Sequence, residues 1–369
     1  MLKPLFRRFM MASMLAFLGI LLATVAAGAS PITKTPYHFT TLDNQADVTF
    51  NQLLGINKHG EIAGYFGSGA DAQHPNKGYT LSRPYGQGNY ANENFPGSVQ
   101  TQVTAINNKG DTAGFWVDSF GNNFGFVEWN GVFTSFRGPD AVAPVTSSSP
   151  SNAKPSFTQL LGINDQGFAV GFDMDGQGNT HGFKLNLSTG QFTHIHPPDG
   201  GSNLTAAAIN GNGDVAGFFT ASDGKTVLGF LFKGGTYSVF SFPNSATTMA
   251  LGVNDADQIV GSYVDSNNQT RGFLLSNPLH HAQWQTIDDP HGISNGKTFN
   301  SNAIQGSNGT TVNGINDDGQ LVGFYVDAKG NTDGFLAQPV TTTSNGSQQH
   351  TASQAPSPMN IIQWFMNHL

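Results

Sequence analysis

The chain contains no cysteine, which excludes disulfide bonds, thiolate metal sites, cysteine nucleophiles and iron–sulfur clusters. An exported protein without disulfides depends on its packed core alone, which favours a large fold over a small domain. At 369 residues the chain is long enough to build such a core.

Charged residues are also scarce, at 11% of the chain, and acidic residues outnumber basic ones by 24 to 16. Three of the basic residues, Lys3, Arg7 and Arg8, lie in an N-terminal segment whose removal changes the net charge from -8 to -11. An acidic surface opposes binding to nucleic acid phosphates and gives no attraction to anionic lipids. We therefore expect no nucleic acid partner.

Residues 1–29 are typical of a secretory signal peptide. The basic residues precede a long apolar run, and the small residues Ala27 and Ala29 stand before a cleavage point at Ser30. Since the apolar run is long, an uncleaved N-terminal anchor is the competing interpretation. After cleavage we expect no membrane span, and a location outside the cell or in the periplasm or cell envelope.

What the chain has in abundance is glycine, with 46 residues, and phenylalanine, with 29. This combination favours many short strands joined by tight turns over disorder, because disordered chains are poor in aromatic residues. One pattern, Ile-Asn-x-x-Gly-x-x-x-Gly, occurs six times at intervals of 44 to 62 residues, with small departures. Its first asparagines are Asn57, Asn107, Asn164, Asn210, Asn254 and Asn316.

Each repeat predicts four strands. Asn-x-x-Gly suits a type I turn whose glycine adopts the left-handed conformation, and only the fifth repeat departs, with Asp257 at that position. A second turn of the form Asp-x-x-Gly-Asn, a Gly-aromatic pair and an aromatic-threonine strand follow in most repeats. The repeat length is that of a propeller blade.

The sequence therefore predicts an all-β protein, a six-bladed β-propeller of four-stranded blades spanning residues 30–339. The sixth repeat lacks its last strand, whereas a spare strand of that type, HFTTLD at residues 38–43, precedes the first repeat. We expect this N-terminal strand to complete the last blade and close the ring. A solenoid or a pair of β-sandwiches is the alternative. We expect a monomer, with a polar linker at 340–358 and a short amphipathic tail at 359–369.

The repeats resemble the HAF family of extracellular repeat proteins, named for a His-Ala-Phe triplet. The resemblance covers residues 38–339 and rests on the Ile-Asn-x-x-Gly core and the later Gly-aromatic pair. The nearest form of the triplet is His181-Gly182-Phe183. The histidine position of the other repeats holds Lys77, Phe124, Leu228, Arg271 and Asp333. The resemblance implies secretion and a propeller-like repeat fold, and it implies no activity.

Two patterns in the chain could support chemistry of their own. A G-x-S-x-G match begins at Gly292 and ends at Gly296, so that Ser294, His291 and Asp289 form a candidate serine hydrolase triad. The match lies in a Gly/Ser/Asn loop rather than at a strand-to-helix turn, and chance matches are common in a glycine-rich chain. Whether the chain is an enzyme stays open.

Asp173 and Asp175 are hard oxygen ligands that would suit calcium, but no acidic residue follows at a bidentate position. We therefore expect no bound metal or cofactor, with calcium at these two residues as the alternative. Asp175 is also the ordinary turn acid of its repeat, so a purely structural role is the alternative. His194 and His196 alternate along one strand and share a face, but no third metal ligand is evident.

Binding residues concentrate on loops that a rigid scaffold holds in place. Long insertions are predicted between the second and third strands of blade one and between blades one and two, two and three, and five and six. In a propeller these connections share one face, and we expect that face to bind an extracellular protein, glycan or other polymer. A hydrolase or lyase acting on a polymer and a structural envelope protein are the alternatives.

Overall fold

The computed structural model describes residues 35–292 and 309–340, and these residues form six four-stranded antiparallel sheets. Blade one contains β2 to β5: Asn51–Ile56, Ile62–Phe66, Lys77–Leu81 and Tyr90–Asn92. Blade two contains β6 to β9: Gln100–Ile106, Thr112–Val117, Asn123–Trp129 and Val132–Phe136. Blade three contains β10 to β13: Thr158–Ile163, Phe168–Met174, Thr180–Asn186 and Gln191–Ile195.

The remaining blades follow in chain order. Blade four contains β14 to β17: Ser202–Ile209, Val215–Thr220, Val227–Lys233 and Thr236–Phe240. Blade five contains β18 to β21: Thr248–Val253, Ile259–Val264, Thr270–Ser276 and Gln283–Ile287. Blade six contains β22 to β24, Thr310–Ile315, Leu321–Val326 and Thr332–Pro339, and its outer strand is β1, Tyr37–Thr41. A 3-10 helix, Gln87–Asn89, precedes β5.

The N-terminal strand closes the ring, as the sequence predicts. β1 pairs antiparallel with β24, from Tyr37 opposite Pro339 to Thr41 opposite Phe335. Because residues from the two ends of the propeller share one sheet, the six-bladed fold is confirmed, and the solenoid and paired-sandwich alternatives are wrong.

A ring of asparagine side chains joins the inner ends of the blades. The Nδ2 group of each repeated asparagine donates to the main-chain oxygen of the asparagine in the next blade. The six distances, starting at Asn57 and ending with the bond from Asn316 back to Asn57, are 3.0, 3.4, 3.0, 3.0, 3.2 and 3.0 Å. The Oδ1 atoms accept from main-chain N–H groups of their own turns, as Asn57 does from His59 and Glu61. Each asparagine therefore fixes its own turn and ties it to a neighbour.

The aromatic residue of each Gly-aromatic pair is buried beneath the strand that carries the core glycine. These residues are at most 2% exposed, and each lies directly opposite that glycine in the sheet, as Phe335 does opposite Gly323. A Cβ atom on Gly323 would lie 2.0 Å from the Thr311 carbonyl oxygen and 2.9 Å from the Phe335 ring. Glycine is therefore required where the ring passes below the strand.

Asp257, the exception in the fifth repeat, keeps the left-handed conformation with a φ of 57°. Its carboxylate lies 2.7 Å from Lys233 Nζ, which also contacts Asp214 at 2.9 Å. The substituted position thus provides an ion pair between blades four and five.

Antiparallel pairing places the connections of each blade on two faces. The turn face carries the connections between the first and second and between the third and fourth strands. The loop face carries those between the second and third strands and those between blades. One expectation is corrected here, because β5 divides the insertion predicted between blades one and two. Residues 82–89 lie on the turn face and only 93–99 on the loop face. This strand has three residues, Tyr90–Asn92, too few to show a periodic pattern.

We expect Asn316→Ala to lower the free energy of unfolding by about 1–3 kcal/mol, because it leaves buried groups of blades one and six without partners. Asn267→Ala is the matched control, since Asn267 is exposed in a turn away from the ring. Chemical denaturation of both variants measures the difference. Equal stability of the two variants would contradict a contribution of the asparagine ring to the free energy of unfolding.

Candidate functional site

A buried asparagine holds much of the longest insertion that the structure describes in full, residues 137–157 between blades two and three. Asn122 is fully buried, and its Nδ2 donates to the Val145 oxygen at 2.8 Å and to Asp118 Oδ2 at 2.8 Å. Its Oδ1 accepts from the main-chain N–H groups of Val145 at 2.7 Å and Ser156 at 3.0 Å. Asn122 therefore fixes the middle and the C-terminal end of the insertion to blade two.

A buried amide also holds the insertion of blade one. Asn76 donates to the Gly67 oxygen at 2.6 Å and accepts from Gln102 of blade two at 2.9 Å. The main-chain bond from Gly69 to the His74 oxygen, at 2.7 Å, folds the loop between these anchors. These loops have definite conformations, as expected for binding loops that are organised before the ligand arrives.

Acidic side chains gather at the outer edge of blade six on the loop face. We call this group the blade-six corner, and it consists of Thr41, Asp43, Asp289, Tyr325, Asp327 and Asp333. Asp333 is 8% exposed and accepts a hydrogen bond from the Tyr325 hydroxyl. That hydroxyl is also 2.9 Å from Thr41 Oγ1.

Burial and mutual repulsion govern the charges of the corner. Burial, followed by the charges of Asp43 and Asp327, raises the pKa of Asp333 to about 7. Burial also raises the pKa of Asp43, although the Gly334 N–H, 3.0 Å from Asp43 Oδ1, opposes the change. In the described part of the chain no lysine or arginine forms an ion pair with these carboxylates. The corner is thus a group of acidic side chains that oppose one another's ionisation and have no lysine or arginine partner among the described residues.

Two of the three candidate hydrolase residues, Asp289 and His291, are described by the structure, and Asp289 belongs to the corner. Asp289 Oδ1 is 3.0 Å from His291 Nδ1 and 2.8 Å from the His291 N–H, so the structure brings these two residues together. The Asp289 side chain is buried, whereas the His291 side chain is 63% exposed. Ser294 lies outside the described residues, so the triad stays a prediction.

The candidate calcium ligands, Asp173 and Asp175, are both engaged by protein groups. Asp173 Oδ2 accepts from the N–H groups of Asp140 at 2.8 Å and Ala141 at 3.2 Å. Asp175 Oδ1 accepts from the N–H groups of its own turn, and Oδ2 lies 3.1 Å from His181 Nε2. Within residues 35–292 and 309–340 no group of three or more histidine or acidic residues is arranged to hold a metal ion.

The alternating histidines of blade three share a face, as expected for a strand. The rings of His194 and His196 stack with centroids 5.7 Å apart, and His194 Nε2 is 2.7 Å from Asp140 Oδ2. This arrangement forms a polar patch on the outer strand of the blade.

Sequence reasoning missed the blade-six corner. Asp333 appeared only as one of the residues that replace histidine in the triplet, and the corner combines three segments that are far apart in the chain, residues 41–43, Asp289 and residues 325–333. A position-by-position alignment of the six repeats could have found the charge reversal between Arg271 and Asp333. It could not have shown that Asp43, from the opposite end of the propeller, stands beside Asp333.

On comparison with known proteins, no protein-family model matches the chain, and no curated protein matches it. A variant of the AofleA protein of Arthrobotrys oligospora is similar in structure, with a TM-score of 0.46 and 12% identity over 84% of this chain and 89% of that one. A variant of the Aleuria aurantia lectin in complex with Fucα1-6GlcNAc has a TM-score of 0.42 and 10% sequence identity. The match covers 83% of this chain and 97% of the lectin chain. The Hadza microbial sialidase Hz136 has a TM-score of 0.45 and 10% sequence identity. The match covers 78% of this chain and 65% of the sialidase chain.

Among residues 35–292 and 309–340, no helical segment has the length and hydrophobicity of a transmembrane helix.

The raised pKa of Asp333 predicts a pH dependence of stability. Because the folded protein holds this proton up to about pH 7 while an unfolded aspartate loses it near pH 4, stability falls as the pH rises through that interval. Asp333→Asn should flatten the fall, and Asp318→Asn, a single-charge control on the turn face, should not. Thermal unfolding from pH 4 to 8 measures this. A fall of equal size in Asp333→Asn and wild type would exclude Asp333 as its source.

Proposed function

We propose that this chain is an exported ligand-binding protein that presents its loop face to an extracellular protein, glycan or other polymer. The observation that carries the proposal is the fixing of the long insertions by buried side chains, above all by Asn122. An insertion that is merely tolerated needs no anchor, because a flexible surface loop costs a fold little. An anchored loop loses less entropy when it binds, which favours affinity.

Two sequence features support export. Residues 1–29 have the pattern of a signal peptide, and the repeats resemble the extracellular HAF family. The glycine and aromatic residues that recur in every repeat have structural roles. A binding function is therefore expected in the loops, where the repeats differ.

Releasing the loop without disturbing the ring tests the proposal. Asn122→Ala removes the bonds that hold Val145 and Ser156, whereas Asp173 still holds the start of the insertion. We expect faster amide hydrogen exchange in residues 142–157 and weaker binding to ligands found by a glycan array and a secreted-protein screen. Asn179→Ala is the matched control, because Asn179 makes the same turn bond to Asp175 but holds no insertion. Replacement of residues 138–156 by a short turn should abolish binding at that loop. Binding unchanged by both alterations would refute the loop-face proposal.

A hydrolase is the second candidate, and the contact between Asp289 and His291 favours it, since a carboxylate that orients a histidine is part of a serine triad. In this case Ser294 would be the nucleophile.

A serine-directed fluorophosphonate probe should then label the wild type and not Ser294→Ala. Absence of labelling in the wild type would remove this candidate and leave the binding proposal intact.

A further inference from the structure

Blade five contains an arginine in the corner that corresponds to the acidic corner of blade six. Arg271 Nε donates to Asp265 Oδ2 at 2.7 Å, and Nη1 donates to Asp288 Oδ2 at 2.7 Å. Nη2 donates to Gln269 at 3.2 Å, and the side chain is 19% exposed. The corner of blade five is therefore a cage for a guanidinium group.

The two corners correspond residue by residue. Arg271 lies opposite Tyr263 in the sheet of blade five, and Asp333 lies opposite Tyr325 in blade six. In both corners the tyrosine hydroxyl contacts a threonine of the outer strand, at 3.1 Å in blade five and 2.9 Å in blade six. Tyr263, Asp265, Gln269, Thr286 and Asp288 correspond in order to Tyr325, Asp327, Asn331, Thr41 and Asp43.

The cation is missing from this correspondence, and Asp327 Oδ2 instead accepts from Asn331 Nδ2 at 3.2 Å. Asp327 and Asp43 occupy the positions of the two carboxylates that Arg271 bridges, but a third carboxylate, Asp333, stands where the arginine would be. Asp333 is itself nearly buried. The charges of two carboxylates therefore act on a third at the position that, one blade earlier, holds a guanidinium group.

Asp289 provides independent support. Its N–H donates to Thr310 Oγ1 at 2.8 Å, as the N–H of Phe242 does to Thr248 at 2.9 Å, so the two residues are equivalent. The Phe242 ring stacks on Tyr263 with centroids 3.5 Å apart, which indicates that the Asp289 side chain is directed toward Tyr325.

The Asp289 carboxylate is also incompletely paired. Asp289 is 3% exposed, and its Oδ2 has no hydrogen-bond partner among the described residues. Its charge acts on both Tyr325 and Asp333. A buried carboxylate oxygen without a partner is costly, and a bound cation would offset this cost.

We propose that the blade-six corner binds a guanidinium group of a partner, so that the loop-face ligand is a protein or peptide with an exposed arginine side chain. This inference rests on the proposed binding function and specifies its ligand. A planar guanidinium group can donate to two carboxylates at once, as Arg271 does, whereas a lysine ammonium group is a compact point charge. The described residues offer no arrangement for a metal ion in its place.

The test uses the full chain with tri-arginine and tri-lysine peptides, which carry the same charge. The calorimetric titrations are run at low salt and about pH 8, above the pKa of about 7 of Asp333, so that its carboxylate is ionised. We expect tri-arginine to bind at least about tenfold more tightly than tri-lysine, and Asp333→Asn to reduce its affinity about tenfold, as for loss of a partly desolvated charge pair. Asp333→Arg should supply the missing cation internally. It should abolish peptide binding and raise the melting temperature. Asp318→Asn, which removes one charge from the turn face, should leave binding within about twofold.

Several outcomes would overturn the inference: no binding of tri-arginine to wild type, equal binding of the two peptides, or equal loss in Asp333→Asn and Asp318→Asn. Asp333→Asn has nearly the same size as the wild type and keeps the test valid if Asp333→Arg fails to fold. If loop-face ligands bind Asp333→Asn as tightly as wild type, this inference fails while the proposed function stands. If tri-arginine binds as expected but the Asn122→Ala and loop-replacement variants bind their ligands normally, the loop proposal fails instead.

Discussion

The closed ring of asparagine hydrogen bonds fixes the angular position of every blade around the axis. Each asparagine uses its Nδ2 for the neighbouring blade and its Oδ1 for its own turn, and the sixth asparagine returns the bond to the first. Because all six are 3–4% exposed, loss of any one leaves buried polar groups without partners. The outer parts of the molecule, including both corners and the long loops, are positioned by this inner ring.

The second constraint acts between the strands of one blade. The aromatic ring of each Gly-aromatic pair lies opposite the glycine of the neighbouring strand, so that glycine and ring form one packing unit in each of the six blades. Residues that have this packing role in every blade are poor candidates for ligand binding. The positions that vary, such as Arg271 and Asp333 at equivalent points of blades five and six, are free to acquire separate roles.

Comparing the blades of one chain gives each corner an internal reference. Blade five shows a tyrosine, a threonine and two carboxylates arranged around a guanidinium group, and blade six repeats the arrangement with the charge reversed at its centre. The electrostatic consequence is direct, because burial and neighbouring charges raise the pKa of Asp333 to about 7. Comparison between blades also accounts for Asp257, which replaces the turn glycine of the other blades and forms an ion pair with Lys233.

The sequence by itself determined the number of blades, the strand pattern that most repeats share, the turn glycines and the closing strand at residues 38–43, because these depend on local turn chemistry and on repetition. It did not reveal β5, whose three residues carry no periodic pattern, and it assigned the asparagines to turns without their bonds between blades. Only the tertiary structure placed Asp43 beside Asp333, about three hundred positions apart in the chain, since the electrostatic coupling of two carboxylates depends on their distance in space. The pairing of β1 with β24 brings Asp43 close to Asp333, and no pattern along the chain predicts that these two side chains are neighbours.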